Sequence, residues 1–271
     1  MTSPAAYIYP EESFLKGFIK SKSLSENKCV RTYLSALDKV IGGFYNSNLT
    51  IIGGRPAMGC RQLVLTMACK QAWKNRKVAC FFMTLTERNI ISRLQRIYMS
   101  NSESEESRPP LFYIDYKLDI DGLHNEIERL KKEENIEVVY VESVQMIDVN
   151  EPIETLSKAE YVVKALWKMS REFDIPIVAL SSLSRRPEIV GGDRRPLLCD
   201  LRESSAIEMY ADVVLLLHRP IYYGFKVDEL GNSIENTAQI IVAKNVNGQL
   251  TDVNLLFDHS ASVFVDEILP F

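Results

Sequence analysis

From residue 49 onward the chain alternates short, continuously apolar runs with longer segments whose apolar residues recur at helical spacing. The apolar runs are 49–53, 78–83, 111–115, 138–142, 177–181, 213–218 and 238–244, with 253–257 near the end. The longer segments 61–75, 123–135 and 153–174 read as helices, and in the last of them Leu156, Ala159, Val163, Leu166 and Ser170 share one face. Runs that are apolar at every position are strands buried on both faces. Their alternation with helices predicts an α/β fold, a mostly parallel twisted sheet flanked by crossover helices. Two segments break the rhythm: 101–110 (NSESEESRPP) and 183–196 (LSRRPEIVGGDRRP), expected as exposed loops, the first acidic and the second basic. Ahead of residue 28, Phe14, Leu15, Phe18 and Ile19 fall at helical spacing. They fit either a short helix packed on its own domain or an arm that docks elsewhere.

Composition narrows the class. The chain has 271 residues, 46% hydrophobic and 25% charged, which excludes a disordered or fibrous protein. Lys and Arg total 32 against 36 Asp and Glu, a net charge of −4, so any nucleic-acid contact must use a local basic patch. The five cysteines (Cys29, Cys60, Cys69, Cys80, Cys199) form no C-x-x-C pair, and there are only three histidines (His124, His218, His259), without ligand spacing. A structural metal and a disulfide framework are therefore not expected, and a reducing cytosol suits the chain. No apolar run approaches the roughly 18 residues that span a bilayer, and the N-terminus lacks a basic-then-apolar signal pattern. The expectation is a cytoplasmic protein without membrane contact.

The first candidate chemistry lies where the run 49–53 meets Gly54-Arg55-Pro56-Ala57-Met58-Gly59, followed by a helix. Strand, glycine-bounded loop and helix is the order of a phosphate-binding loop, in which backbone N–H groups and a helix N-terminus face an anion. The pattern G-x-x-x-x-G-K-[ST] continues with a lysine for the phosphates and a hydroxyl for Mg²⁺, and here Cys60 and Arg61 stand in those places. A thiol at a helix N-terminus is also a position where the pKa can fall. The run 138–142 ends in Glu142, where phosphate-loop enzymes hold a carboxylate near Mg²⁺; the plainer alternative is a strand-end residue facing solvent.

These residues fall in a family order. Arg55-Pro-Ala-Met-Gly59, Glu142 followed by Val144-Gln145-Met146, Val178-Ala-Leu-Ser-Ser182, Asp200-Leu-Arg-Glu-Ser204, Ile207-Glu208, Ala211-Asp212 and Lys244-Asn-Val-Asn-Gly248 follow one another as in the C-terminal, RecA-like motor domain of bacterial replicative DNA helicases of the DnaB type. The resemblance covers roughly residues 28–266. It implies a RecA-like P-loop NTPase domain over 28–271, preceded by an arm, 1–27, that resembles the helicase linker helix. It further implies a six-membered ring, ATP with Mg²⁺ between neighbours, and single-stranded DNA in the channel.

Carried over residue by residue, the resemblance assigns nucleotide contacts to Gly54, Arg55, Pro56, Ala57, Met58, Gly59, Cys60, Arg61 and Lys244. It assigns catalytic roles to Glu87, Glu142 and Gln145. The phosphate lysine is Cys60, the Mg²⁺ hydroxyl is Arg61 and the metal aspartate is Glu142. The catalytic glutamate aligns with Thr86, one place before Glu87, and the arginine finger is Val246. The Asp-Leu-Arg-Glu-Ser string and the basic segment before it imply DNA-backbone contacts by Arg185, Arg186, Arg194, Arg195, Arg202, Glu203 and Ser204. An arginine finger contributes about 10³ to 10⁵ in rate, so its loss alone nearly silences turnover. Three functions fit this pattern: a binding module for DNA, for itself or for a working helicase, with an impaired ATPase site; a divergent but active ATP-dependent helicase; or an assembly partner that caps a helicase ring.

Overall fold

A computed structural model describes residues 28–99, 111–114, 118–150, 157–202 and 204–267. A short hairpin-like pair, β1 (Cys29–Val30) and β2 (Phe44–Tyr45), brackets α1 (Ser35–Ile41). Then follow β3 (Leu49–Gly54), α2 (Cys60–Trp73), β4 (Val78–Phe82), α3 (Glu87–Met99), β5 (Leu111–Ile114), α4 (Ile120–Glu133) and β6 (Val138–Glu142). After a short turn of 3₁₀ helix come α5 (Lys158–Glu172), β7 (Ile177–Ser182), α6 (Arg186–Val190), α7 (Ser204–Tyr210), β8 (Val213–His218), β9 (Thr237–Asn245), β10 (Asp252–Asp258) and β11 (Val263–Asp266).

Nine strands form one sheet in the order β11-β10-β9-β8-β3-β7-β6-β4-β5. From β8 to β5 every neighbouring pair is parallel, and β8 to β11 pair antiparallel. The mostly parallel sheet is thus as the periodicity predicts. Strands β3, β4, β6 and β8 are buried at every position, as a sheet covered on both faces requires. On one face lies the apolar layer built with α2, and on the other the layer built with α4, α5 and α7.

Helix α2 explains its own burial. Ten of its 14 residues are buried, including Gln62, Thr66 and Gln71. Thr66 donates back to Gln62 O (2.9 Å); Gln71 donates to Arg31 O (2.9 Å) and accepts from the Tyr140 hydroxyl (2.8 Å). Buried polar groups with such partners are tolerated inside a core. α4 is capped by Asp119, which accepts from Gly122 N (2.7 Å), and α5 by Ser157, which accepts from Glu160 N (3.1 Å).

Several sequence expectations are corrected. The segment 183–196 is not loop throughout, because α6 occupies Arg186–Val190. The helix expected over 153–174 runs from Lys158 to Glu172, and 151–156 lie outside the described residues, as do 101–110 and the arm 1–27 with Phe14 to Ile19. The alternation also passes over the two-residue strands β1 and β2, which are too short to show a period.

Candidate nucleotide-loop site

The parallel strands converge on one sheet edge, where ligands of open α/β folds gather beyond the strand C-termini. β3 delivers Gly54 to Gly59, β4 delivers Thr84 and the start of α3, β6 delivers Glu142 to Gln145, and β7 delivers Ser181 to Arg186. The loop has the backbone of an anion cradle: Ala57 at φ 65° and Gly59 at φ 108° turn the chain into α2, and Met58 N–H closes a turn on Arg55 O (3.1 Å). A Cβ at Gly54 would overlap Cys60 Sγ, so any larger residue there requires the thiol to turn away.

The side chains fill this cradle in an unusual way. Arg61, the second residue of α2, reaches across to the end of β6 and forms an ion pair with Glu142. It also donates through Nη2 to Thr84 Oγ1 (2.9 Å), and the Thr84 hydroxyl in turn donates to Glu142 Oε1 (2.8 Å). Glu142 is 5% exposed, so it is not a strand-end residue facing solvent. Its second oxygen, Oε2, and Arg61 Nε are buried with no hydrogen-bond partner among the described residues. Burial, and secondarily the neighbouring Arg93, pulls the Arg61 pKa down from its ordinary value, yet a guanidinium stays charged in proteins.

Mg²⁺ does not fit this arrangement. The residue that should offer a hydroxyl is a cation, and the carboxylate that should face the metal is already engaged by it. At about 4 Å and an effective dielectric near 20, a pair of like unit charges costs about 4 kcal/mol, so Arg61 cancels about as much as Glu142 would contribute to holding a cation. Cys60 carries no compensating charge either. Burial pushes its thiol up to about 12, which corrects the expectation that the helix N-terminus lowers it.

Other assigned residues have different employment. Arg55 turns away from the cradle, with Nε on Glu188 Oε1 of α6 (2.7 Å) and Nη1 on Leu183 O (2.9 Å). Gln145 is held by its neighbours: its Nε2 donates to Ser181 Oγ (3.0 Å), while its Oε1 accepts from Ser143 Oγ (2.8 Å) and Ser182 N (3.3 Å). Glu87 opens α3 beside this edge, and its side chain lies outside the described ones. Pro56 and Ala57 are exposed at the loop tip. Lys244 is not brought to the loop. It pairs in register with Val214 at the start of β8, at the opposite edge of the sheet, and its ammonium donates to Glu208 O (2.7 Å). Val246, 58% exposed, lies just beyond it.

The Asp-Leu-Arg-Glu-Ser segment is stitched to the end of β7. Leu183 and Leu201 form an antiparallel bridge, Arg202 N donates to Ser182 O (3.1 Å), and Ser184 N donates to Asp200 O (2.7 Å). Leu201 in turn packs on β3, since a Cβ on Gly53 would lie 2.6 Å from Leu201 Cδ2. Arg202 and Arg185 are exposed on this rim, Ser204 opens α7, and Glu203 lies outside the described residues.

The arginines grouped together by the sequence separate in space. Arg186 pairs with the buried Asp200 (3.0 Å), and Arg195 bridges Gln239 (2.5 Å) and Asp252 (2.5 Å) on the antiparallel strands. Arg194 lies over the rings of Tyr223 (5.2 Å) and Phe225 (5.9 Å). Sequence reasoning missed Thr84 and also Arg219, a largely buried guanidinium stacked 4.0 Å over Phe257 whose backbone N–H meets Met58 Sδ (3.2 Å). A signal for Thr84 existed: it follows β4 by two residues, and β4 pairs in register with β6 as far as Phe82 opposite Glu142.

Comparison with known proteins agrees with this architecture. The "Replicative DNA helicase DnaB" of Treponema pallidum is 33% identical over 261 residues, covering 87% of this chain and 56% of the helicase. That of Rickettsia felis is 28% identical over 281 residues, again covering 87% of this chain and 56% of the relative. The chain thus spans little more than half the length of these curated relatives. Among solved structures, a DnaB-like replicative helicase described with its interactions with primase superposes with a TM-score of 0.79 at 23% identity, covering 96% of this chain and 67% of that one. A second solved structure, described as an ATPase domain, gives 0.76 at 24% identity, covering 95% of this chain and 98% of that one. The fold is therefore RecA-like. No described helix is long and apolar enough to cross a membrane. The family model for the DnaB-like helicase C-terminal domain matches residues 29–108 and 96–266, and the chain belongs to that family.

Proposed function

We propose that this chain is a divergent member of the replicative-helicase family whose ATPase site is degraded, and that it acts in DNA replication as a module binding DNA or a helicase. The observation that carries this reading is the Arg61–Glu142 ion pair, closed by Thr84, at the place where Mg²⁺ and a hydroxyl are required. Val246 at the finger position supports it, because a finger is worth about 10³ to 10⁵ in rate. The intact stitching of 198–202 onto β7, with Arg185 and Arg202 exposed, supports retained contact with a single-stranded DNA backbone. Lys244 and the loop stand at opposite sheet edges, so any joint action on one nucleotide requires a second copy or a working helicase as neighbour. An active divergent motor, by contrast, requires Arg61 to leave Glu142. The test is steady-state ATP hydrolysis by the full chain with Mg²⁺ and saturating single-stranded DNA. Hydrolysis at the level of the protein-free blank is expected; turnover at an ordinary motor rate overturns the proposal.

A further inference from the structure

We propose that Arg61 replaces the divalent cation, so that the loop takes a phosphate-bearing ligand without any metal. This rests on the reading above, that the site does not turn over, and specifies its charge chemistry. Three observations converge. Glu142, buried at the end of β6, faces the loop and is neutralised by a side chain of α2 rather than left for an ion from solution. Thr84 closes the pair into a three-membered linkage between α2, the end of β4 and β6. Arg61 Nε–H is left buried without a partner, a donor that a phosphate oxygen at the loop would satisfy, while Glu142 Oε2, an acceptor, is left to a water.

A guanidinium is a permanent, planar cation suited to phosphate oxygens. With the charge supplied from within the chain, the α2 N-terminus and loop amides keep their attraction for phosphate. A divalent ion escorting the phosphates meets a like charge where its carboxylate should be. The chemical class of ligand is thus a nucleotide or other polyphosphate in its metal-free form.

The experiment is calorimetric titration of the full chain with ATP as probe, once in Mg²⁺ and once in excess EDTA, repeated on Arg61→Ser after thermal melting confirms that it folds. For the native chain the two dissociation constants should agree within about threefold. In Arg61→Ser, where Glu142 is released, Mg²⁺ should tighten binding more than about threefold; the companion Arg61→Ser/Glu142→Asp should show the same if the single variant does not fold. Mg²⁺-dependent binding by the native chain overturns the inference, as does a foldable Arg61→Ser that behaves like the native chain. Absence of ATP binding in either buffer also overturns it, yet leaves the non-hydrolysing module standing, whereas motor-rate hydrolysis removes both.

Discussion

At the end of β3 the loop 54–59 turns into α2 through Ala57 at φ 65° and Gly59 at φ 108°, and the side chain of Arg61 that follows is engaged with Glu142. One strand away, the segment 198–202 is bonded through its backbone to the end of β7. The two corners touch through Gly53, whose missing side chain makes room for Leu201. Packing and main-chain bonding depend on shape, and both corners are held by them. Metal binding depends on charge at one or two atoms, and there the corners part. On the proposed reading, a fold can carry a rim that contacts a nucleic-acid backbone beside a phosphate loop that holds no metal.

The comparison is sharpened first by Leu201→Ala. It opens a cavity against Gly53 and Leu216 and should cost about 2–5 kcal/mol in urea denaturation while leaving the Arg61–Glu142 pair in place. An effect below about 1 kcal/mol would mean that the corners are not coupled through packing. Next, Glu142→Gln strands the Arg61 guanidinium and should destabilise by about 1–3 kcal/mol. This lies below the figure for a fully buried pair because the Arg61 side chain is 32% exposed. Adding Arg61→Met should recover most of that loss, and a double-mutant cycle reads the coupling directly.

A third test uses acid. Burial, aided by the nearby Arg195, lowers the His218 pKa from 6.5 to about 4, and its Nδ1 has no partner among the described residues. Between those values the unfolded chain binds the proton and the folded chain does not, so stability is full above pH 6.5 and declines toward pH 4. The decline attributable to His218 should reach about 2–3 kcal/mol, and His218→Leu should flatten the melting temperature across that window. The smallest effect on stability falls on the rim: Arg202→Ala should leave unfolding within about 0.5 kcal/mol. It should nevertheless weaken single-stranded DNA binding and reduce the salt slope by about 0.7. Unchanged DNA affinity would remove the 198–202 corner from the binding surface.

Much of this was legible in the sequence because burial writes itself as apolar runs: β6 and β8 coincide with the predicted 138–142 and 213–218 residue for residue. The loop and its misfit residues were legible too, since motif spacing survives in one dimension. What the sequence hid is direction. Nothing in the string shows that Arg61 crosses to Glu142, that Arg55 turns instead to Glu188, or that the basic segment splits between Asp200 on one side and Asp252 on the other. Those choices follow from which strands become neighbours, and parallel neighbours lie far apart along the chain. Cys60 shows the same limit, because its enclosure against Gly54, not its place at a helix start, decides its acidity.

On the proposed reading, a protein cation stands where a metal would. Electron paramagnetic resonance of Mn²⁺, added with ATP to the full chain, tests it most directly. The expected spectrum is that of Mn²⁺–ATP in solution, unchanged by the protein and by Glu142→Gln. A protein-bound Mn²⁺ spectrum that Glu142→Gln abolishes would contradict it.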